Sequence, residues 1–253
     1  MNPNALAGAS NLGRFDRFVA SDRAGLTAEL QFGRDMATSR INLANPNSPG
    51  SWTGAPTFPA PRLARVGDAD YLTIGAIDNA ELTVIVAVEI PGAPAAGGAL
   101  LGNYSVPGDF FQFGYKAGAG LRALVPSTAA EGYEQAALGT VPFGVSIFAL
   151  RTTGAAAFTA KLDHFKGGDH IDGSAMVSAN NRRVSQLPLR IGGSTTGAYM
   201  AGSTNIHGVA VYSGRCMSDA ELLAEVRAIT ALAAAEGPLA LALTRPANHA
   251  VRL

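Results

Sequence analysis

The stretch from residue 187 to 237 constrains the fold most, because it sets two strands and one capped helix in a fixed order. Residues 189–191 and 206–212 are rich in branched and aromatic side chains and are bounded by glycine clusters, the pattern of strands. Ser218 then reads as a helix N-cap. Its hydroxyl can accept from the Glu221 backbone N–H while the Glu221 side chain reaches back, and Met217 and Leu222 can form the flanking hydrophobic staple. Leu222, Val226, Ile229 and Ala233 follow at helical spacing, with Gly237-Pro238 as a stop.

The chain before this stretch is β-like. Residues 82–90 form the strongest strand pattern: Val84, Val86, Val88 and Ile90 share one face, Ile85 and Ala87 the other, so both faces are expected to be covered. Further strands are expected at 26–32, 63–66, 71–74, 99–104, 110–116, 121–125, 145–152 and 157–165. Thr153-Gly154 marks a hairpin, and a second hairpin or loop passes through Gly167-Gly168. Residues 42–61 are dense in Asn, Pro, Gly and Ser and read as loop. Strands at this spacing with one late helix predict an all-β, two-sheet antiparallel sandwich. Three segments follow: an N-terminal arm over 1–24, the sandwich with its helix over 25–236, and a tail over 237–253.

Composition narrows the partners. Nineteen basic and nineteen acidic residues cancel, giving no electrostatic reason to expect nucleic acid or an anionic membrane. The single Cys216 excludes an intrachain disulfide framework and a cysteine-based zinc cluster, and reads as a small buried residue. No basic-then-apolar leader opens the chain and no run is long enough to span a bilayer, so the expectation is cytoplasmic synthesis without membrane insertion.

Several motifs carry a family resemblance over residues 25–230. They are the opening strand at 25–32, the segments 54–58, 70–74 and 82–87, Leu189-Arg190-Ile191-Gly192-Gly193, and Ile206-His207-Gly208-Val209-Ala210-Val211-Tyr212 followed by Met217-Ser218-Asp219-Ala220-Glu221-Leu222. The chain resembles the concanavalin A-like lectin/glucanase superfamily, specifically the laminin-G-like jelly rolls. It departs by having Val-Ala-Val where an acidic residue usually precedes the closing Ile-Tyr. The resemblance implies a jelly-roll sandwich with one short C-terminal helix. It also implies a non-enzymatic structural or binding role of the kind found in phage virion proteins: capsid decoration, head fibre or tail-associated protein. The implied partners are further copies of the chain, other virion proteins and cell-surface carbohydrate. The alternatives from other classes are a glycoside hydrolase or lyase of the same superfamily, and a free carbohydrate-binding module.

Candidate sites follow from residue chemistry. A glycosidase needs paired carboxylates at a fixed separation; Glu89 stands alone on its strand and Asp163 has no carboxylate two residues away, so catalysis is not expected. A sugar needs an aromatic platform beside planar polar groups. Tyr104, Asp109 and Gln112, with Asn180, Arg182, Tyr199 and Asn205, supply those types. Asp163, His164, Asp169, His170 and Asp172 offer imidazole and carboxylate ligands for a divalent ion near a turn, although Asp and Gly are also ordinary turn residues. No cofactor is required; Asp68, Asp70 and Asp78 could supply oxygen ligands to Ca²⁺ at a sheet rim. The arm and tail are expected to make contacts in an assembly. Leu12, Phe15, Phe18 and Val19 can form an apolar stripe, and Leu239, Leu241 and Leu243 alternate as an edge strand would.

Overall fold

The central strand shows how the layers form. In this computed structural model, which describes residues 18–90, 97–103, 111–116, 120–130, 132–139, 144–193 and 202–243, β6 (Leu82–Ile90) is apolar on both faces and is covered on both. Val84, Val86, Val88 and Ile90 point into the main core between two sheets. Ile85 and Ala87 point outward into a second apolar cluster.

Before β6 come β1 (Leu26–Gln31), α1 (Met36–Ser39), β2 (Ser51–Thr53), β3 (Thr57–Ala60), β4 (Leu63–Val66) and β5 (Tyr71–Ile77). After it come β7 (Gly98–Gly102), β8 (Gln112–Lys116), β9 (Gly120–Pro126), β10 (Tyr133–Leu138), β11 (Gly144–Thr153) and β12 (Thr159–Lys166). The chain continues through β13 (Asp169–Val177), β14 (Pro188–Ile191), β15 (Thr204–Ser213) and α2 (Asp219–Leu243). An eight-stranded sheet runs β13-β12-β11-β6-β15-β4-β3, with β1 also paired to β15. A seven-stranded sheet runs β10-β9-β8-β7-β14-β5-β2. Every strand pair is antiparallel. The expected two-sheet sandwich is therefore the fold.

The second cluster is a third layer on the outer face of the eight-stranded sheet. Met217, Leu222, Val226 and Ile229 of α2 and its lead-in pack there on Ile85, Ile147, Phe165 and Tyr212. The capping box forms as the sequence predicts: Ser218 Oγ accepts from Glu221 N at 3.3 Å, and Glu221 accepts from Ser218 N at 2.7 Å. That backbone hydrogen bond, with the Ser218 hydroxyl and Arg215, holds the exposed Glu221 carboxyl down to about 2.

Four sequence expectations are corrected. Gly237-Pro238 does not stop α2, which continues to Leu243; the pair is flanked on both sides by alanines and leucines, which are strong helix formers. Leu239, Leu241 and Leu243 thus lie in a helix and not in an edge strand. Residues 42–61 are not all loop, since β2 and β3 lie within them. Phe18 belongs to the body of the domain and does not wait for a partner chain. It is fully buried on the outer face of β15, where a Cβ on Gly208 would run into its ring. Residues 20–22 are then pinned. Ala20 N donates to the buried Glu29 carboxylate at 2.8 Å, and Ser21 N and Asp22 N donate to Glu225 at 2.7 and 3.0 Å. The Tyr212 hydroxyl donates to the Asp22 carbonyl at 3.1 Å. Leu12 and Phe15 lie outside the described residues.

Candidate functional site

A cleft opens on the outer face of the eight-stranded sheet, where β11, β12 and β13 meet the start of α2. Strand alternation builds it. Ile147 and Ala149 of β11 face the helix layer, so Arg151 faces the same way at the end of the apolar run. Lys161 and Asp163 project from β12 on that face, and the cap of α2 brings Asp219 over them.

Arg151, almost fully buried, organises the cleft. Its Nη2 and Nε donate to Asp163 Oδ2 at 2.7 and 3.2 Å. Its Nη1 donates to Asp219 Oδ1 at 2.6 Å and to the Met217 carbonyl at 2.9 Å. Lys161 Nζ lies 3.3 Å from the same Asp219 oxygen, and His170 Nε2 lies 3.1 Å from Asp163 Oδ1. Burial opposes the Arg151 charge, but Asp163 and Asp219 outweigh it and raise its pKa. The Arg151 hydrogen bond holds Asp219 below the usual carboxylate range.

Two adjoining hollows share Arg151, Lys161 and Asp219 as a wall. One, of about 260 Å³, adds Asp163, His170 and Ser174. The other, of about 440 Å³, adds Glu81, Thr153, Thr159, Cys216 and Glu221. The side chains of Lys161, His170 and Asp219 are 41%, 45% and 76% exposed, so the wall offers solvent both donors and acceptors held by a buried guanidinium. Cys216 on the rim is half-buried rather than buried, and burial raises its thiol pKa. The cleft suits a neutral ligand rich in hydroxyl groups, which can accept from Lys161 and donate to Asp219.

The described members of the sequence-predicted sugar set, Gln112, Asn180, Arg182 and Asn205, do not form one exposed site. Tyr104, Asp109 and Tyr199 lie outside the described residues. Gln112 is on β8 of the other sheet and only 2% exposed, so it cannot present its amide to a ligand. Arg182 is a structural residue: its side chain and that of Asp78 are both fully buried and form an ion pair, with a further Arg182 hydrogen bond to the Asn79 carbonyl at 3.1 Å. Burial pushes the Asp78 carboxyl upward, against the pull of Arg182. Asn180 donates to Glu134 at 2.7 Å in the same connection. Asn205 sits on β15, in register with Glu89 and Arg65.

The predicted metal set divides across β12 and β13. Asp163 faces the cleft with Arg151, whereas the next residue, His164, points to the interior, tilted against Phe148 and 3.1 Å from Ser146 Oγ. Adjacent strand residues face opposite ways, so the two cannot share an ion. Asp169, His170 and Asp172 lie in β13 and not in a turn. Among the described residues no three His, Cys, Asp or Glu side chains are placed to hold a metal. Asp68 and Asp78 flank opposite ends of β5, roughly 20 Å apart by strand rise, and Asp70 accepts from Ala55 N at 2.7 Å. The Ca²⁺ trio is therefore not assembled.

Arg151, Lys161 and Asp219, the wall shared by both hollows, are cleft residues that sequence reasoning missed. A lone arginine ending the apolar run 147–150 was the available signal, because a charge on a covered strand face requires a partner.

No family model matches the sequence, and no match is found among curated proteins. Solved structures share the fold. The binding domain of botulinum neurotoxin DC in complex with SialylT superposes with a TM-score of 0.58 at 8% identity, over 82% of this chain and 52% of that one. The receptor binding domain of botulinum neurotoxin D gives 0.57 at 6% identity, over 83% and 53%. A mutant of Trypanosoma rangeli sialidase displaying trans-sialidase activity gives 0.52 at 14%, over 88% and 36%. The chain thus spans about half the length of the two neurotoxin domains.

Proposed function

We propose that this chain is a non-enzymatic binding module whose ligand is carbohydrate, held in the cleft walled by Arg151, Lys161 and Asp219. The carrying observation is that wall: exposed donor and acceptor groups fixed in orientation by a buried arginine, the arrangement a ring of sugar hydroxyls requires. The fold supports the reading, since a likeness of it is the binding domain seen in complex with SialylT. The non-catalytic part is supported by the engagement of three strand-associated carboxylates. Asp163 is held by Arg151 and His170, Asp78 by Arg182, and Glu29 by Arg23 and the Ala20 amide. In its narrower form the module is a phage virion component contacting host-surface glycan, assembled with copies of itself and other virion proteins. That form rests on the laminin-G-like motifs of residues 25–230.

A glycan array probed with the full chain tests the reading. Binding to one glycan class is expected, with loss in both Lys161→Ala and Asp219→Asn while each variant melts as the parent does. An array with no binding, or binding that both variants keep, overturns the cleft. Release of reducing sugar from the bound glycan overturns the non-enzymatic part.

A further inference from the structure

Across β15 from the cleft, the chain carries a second surface of different chemistry. Three of the exposed large apolar side chains sit together in sequence after β1: Met36, Ile41 and Leu43, at 38%, 44% and 40% exposure. Ile41 and Leu43 line a groove of about 260 Å³ with Gln31, Phe32, Thr38 and Arg62. The groove is a built feature. Glu29 N donates to Asn42 Oδ1 at 3.0 Å and Leu43 N to the Glu29 carbonyl at 2.8 Å, which ties the far wall to β1. Gly33 lets Thr38 approach so closely that a Cβ would collide with it. Arg62, at the tight β3–β4 turn, has φ of 63°, a left-handed conformation that a residue with a Cβ adopts at a cost.

The segment that supplies most of the groove is one-sided in charge. The whole chain balances nineteen basic against nineteen acidic residues, yet residues 33–66 contain Arg34, Arg40, Arg62 and Arg65 against Asp35 alone. Arg34, Arg40 and Arg65 are exposed. Asp35 is already engaged as the cap of α1, accepting from Thr38 N at 2.8 Å and Thr38 Oγ1 at 2.9 Å. These hydrogen bonds hold its carboxyl below the usual range.

We propose that this groove docks an acidic peptide segment of a partner protein, an apolar side chain entering between Ile41 and Leu43 while flanking carboxylates meet the exposed Arg34, Arg40 and Arg65. Guanidinium groups match carboxylates in geometry as well as charge. The groove has room for about one large side chain, which suits a peptide. The chain's own segment 1–17 is the less complementary occupant, because Arg14 and Arg17 outnumber Asp16 there. The proposal does not depend on the carbohydrate reading, and the two surfaces fail separately.

The test selects a random peptide library displayed on yeast against the full chain, then measures the enriched peptides on Arg40→Glu and Ile41→Asp. Both side chains are exposed, so both variants are expected to melt as the parent does, and Lys161→Ala serves as a control at the other surface. Enrichment of sequences with acids flanking an apolar residue is expected. Each groove variant should weaken them about tenfold or more, the scale of a lost charge-assisted contact, and Lys161→Ala should not. No enrichment, enrichment of basic or uncharged sequences, or binding that both groove variants retain overturns the proposal. Two further results also overturn it by naming another occupant. One is binding of the full chain to phosphatidylserine vesicles that Ile41→Asp abolishes; the other is self-association by light scattering that Ile41→Asp abolishes.

Discussion

Among the described residues two buried arginines meet carboxylates, and their surroundings give them different work. Arg182 and Asp78 have no side-chain exposure at all, and the arginine also donates to backbone carbonyls at Asn79 and Arg183. Arg151 is nearly as buried, but Asp219 on its far side is 76% exposed and the partners Lys161 and His170 reach solvent. The sealed pair anchors the 178–187 connection to the end of β5 and presents nothing outward. The open network uses a buried cation to orient groups that face water. Burial of an ion is thus no guide to function; the exposure of its partner is the discriminating quantity.

The comparison can be broken most forcefully at the sealed pair. Arg182→Leu leaves Asp78 buried without its cation and is expected to cost about 3–5 kcal/mol, whereas Asp78→Leu combined with Arg182→Leu should recover much of it. Urea midpoints measure both, and a small loss in the single variant would mean water enters that corner. Arg151→Leu should cost less, about 1–3 kcal/mol, since Asp163 keeps His170 and Asp219 turns to solvent. A loss as large as that of Arg182→Leu would erase the distinction between the two sites.

Ser218→Ala is expected to cost ~1 kcal/mol by removing the cap of α2. If it also moves Asp219, glycan binding falls with stability. The smallest effect concerns His164, directly behind Asp163. Burial depresses its pKa from the ordinary value of 6.5, so the unfolded chain binds the proton more readily. Its contribution is therefore complete above that value and is lost as pH falls through the lower folded pKa. His164→Gln should flatten the fall in melting temperature between about pH 7 and 5. An unchanged slope would show that His164 takes up its proton in the folded protein without loss.

Legibility from sequence followed the length over which a pattern is local. β6 and β4 could be read to the residue, because alternation and flanking turns lie within a few positions. The capping box is equally local, with its partners three residues apart. β13 escaped because its residues are largely exposed, so that apolar and polar positions do not alternate along it. β3 carries Pro59 in a Gly- and Pro-rich stretch, where turn chemistry masks a short strand. The cleft was less legible than the fold. Arg151 finds Asp163 and Asp219 at separations of 12 and 68 residues, and Arg182 finds Asp78 at 104. Such pairs are set by strand order, which no short motif encodes. Arg182 and Asn180 had the right chemistry for sugar, but the fold uses both for holding a loop.

The position of β15 has a consequence for how the domain is made. It is the last strand among the described residues, yet it lies inside the eight-stranded sheet, between β6 on one side and β1 and β4 on the other. Leu26 waits for Tyr212, and Phe18 waits for Gly208. During synthesis the facing edges of β6 and β1 therefore stay unpaired until nearly the whole sandwich has been translated, and the helix that covers their outer face arrives later still. Closure requires contacts of large sequence separation, which are slow to form. Until β15 inserts, the nascent chain therefore presents unpaired strand edges of the kind that invite aggregation.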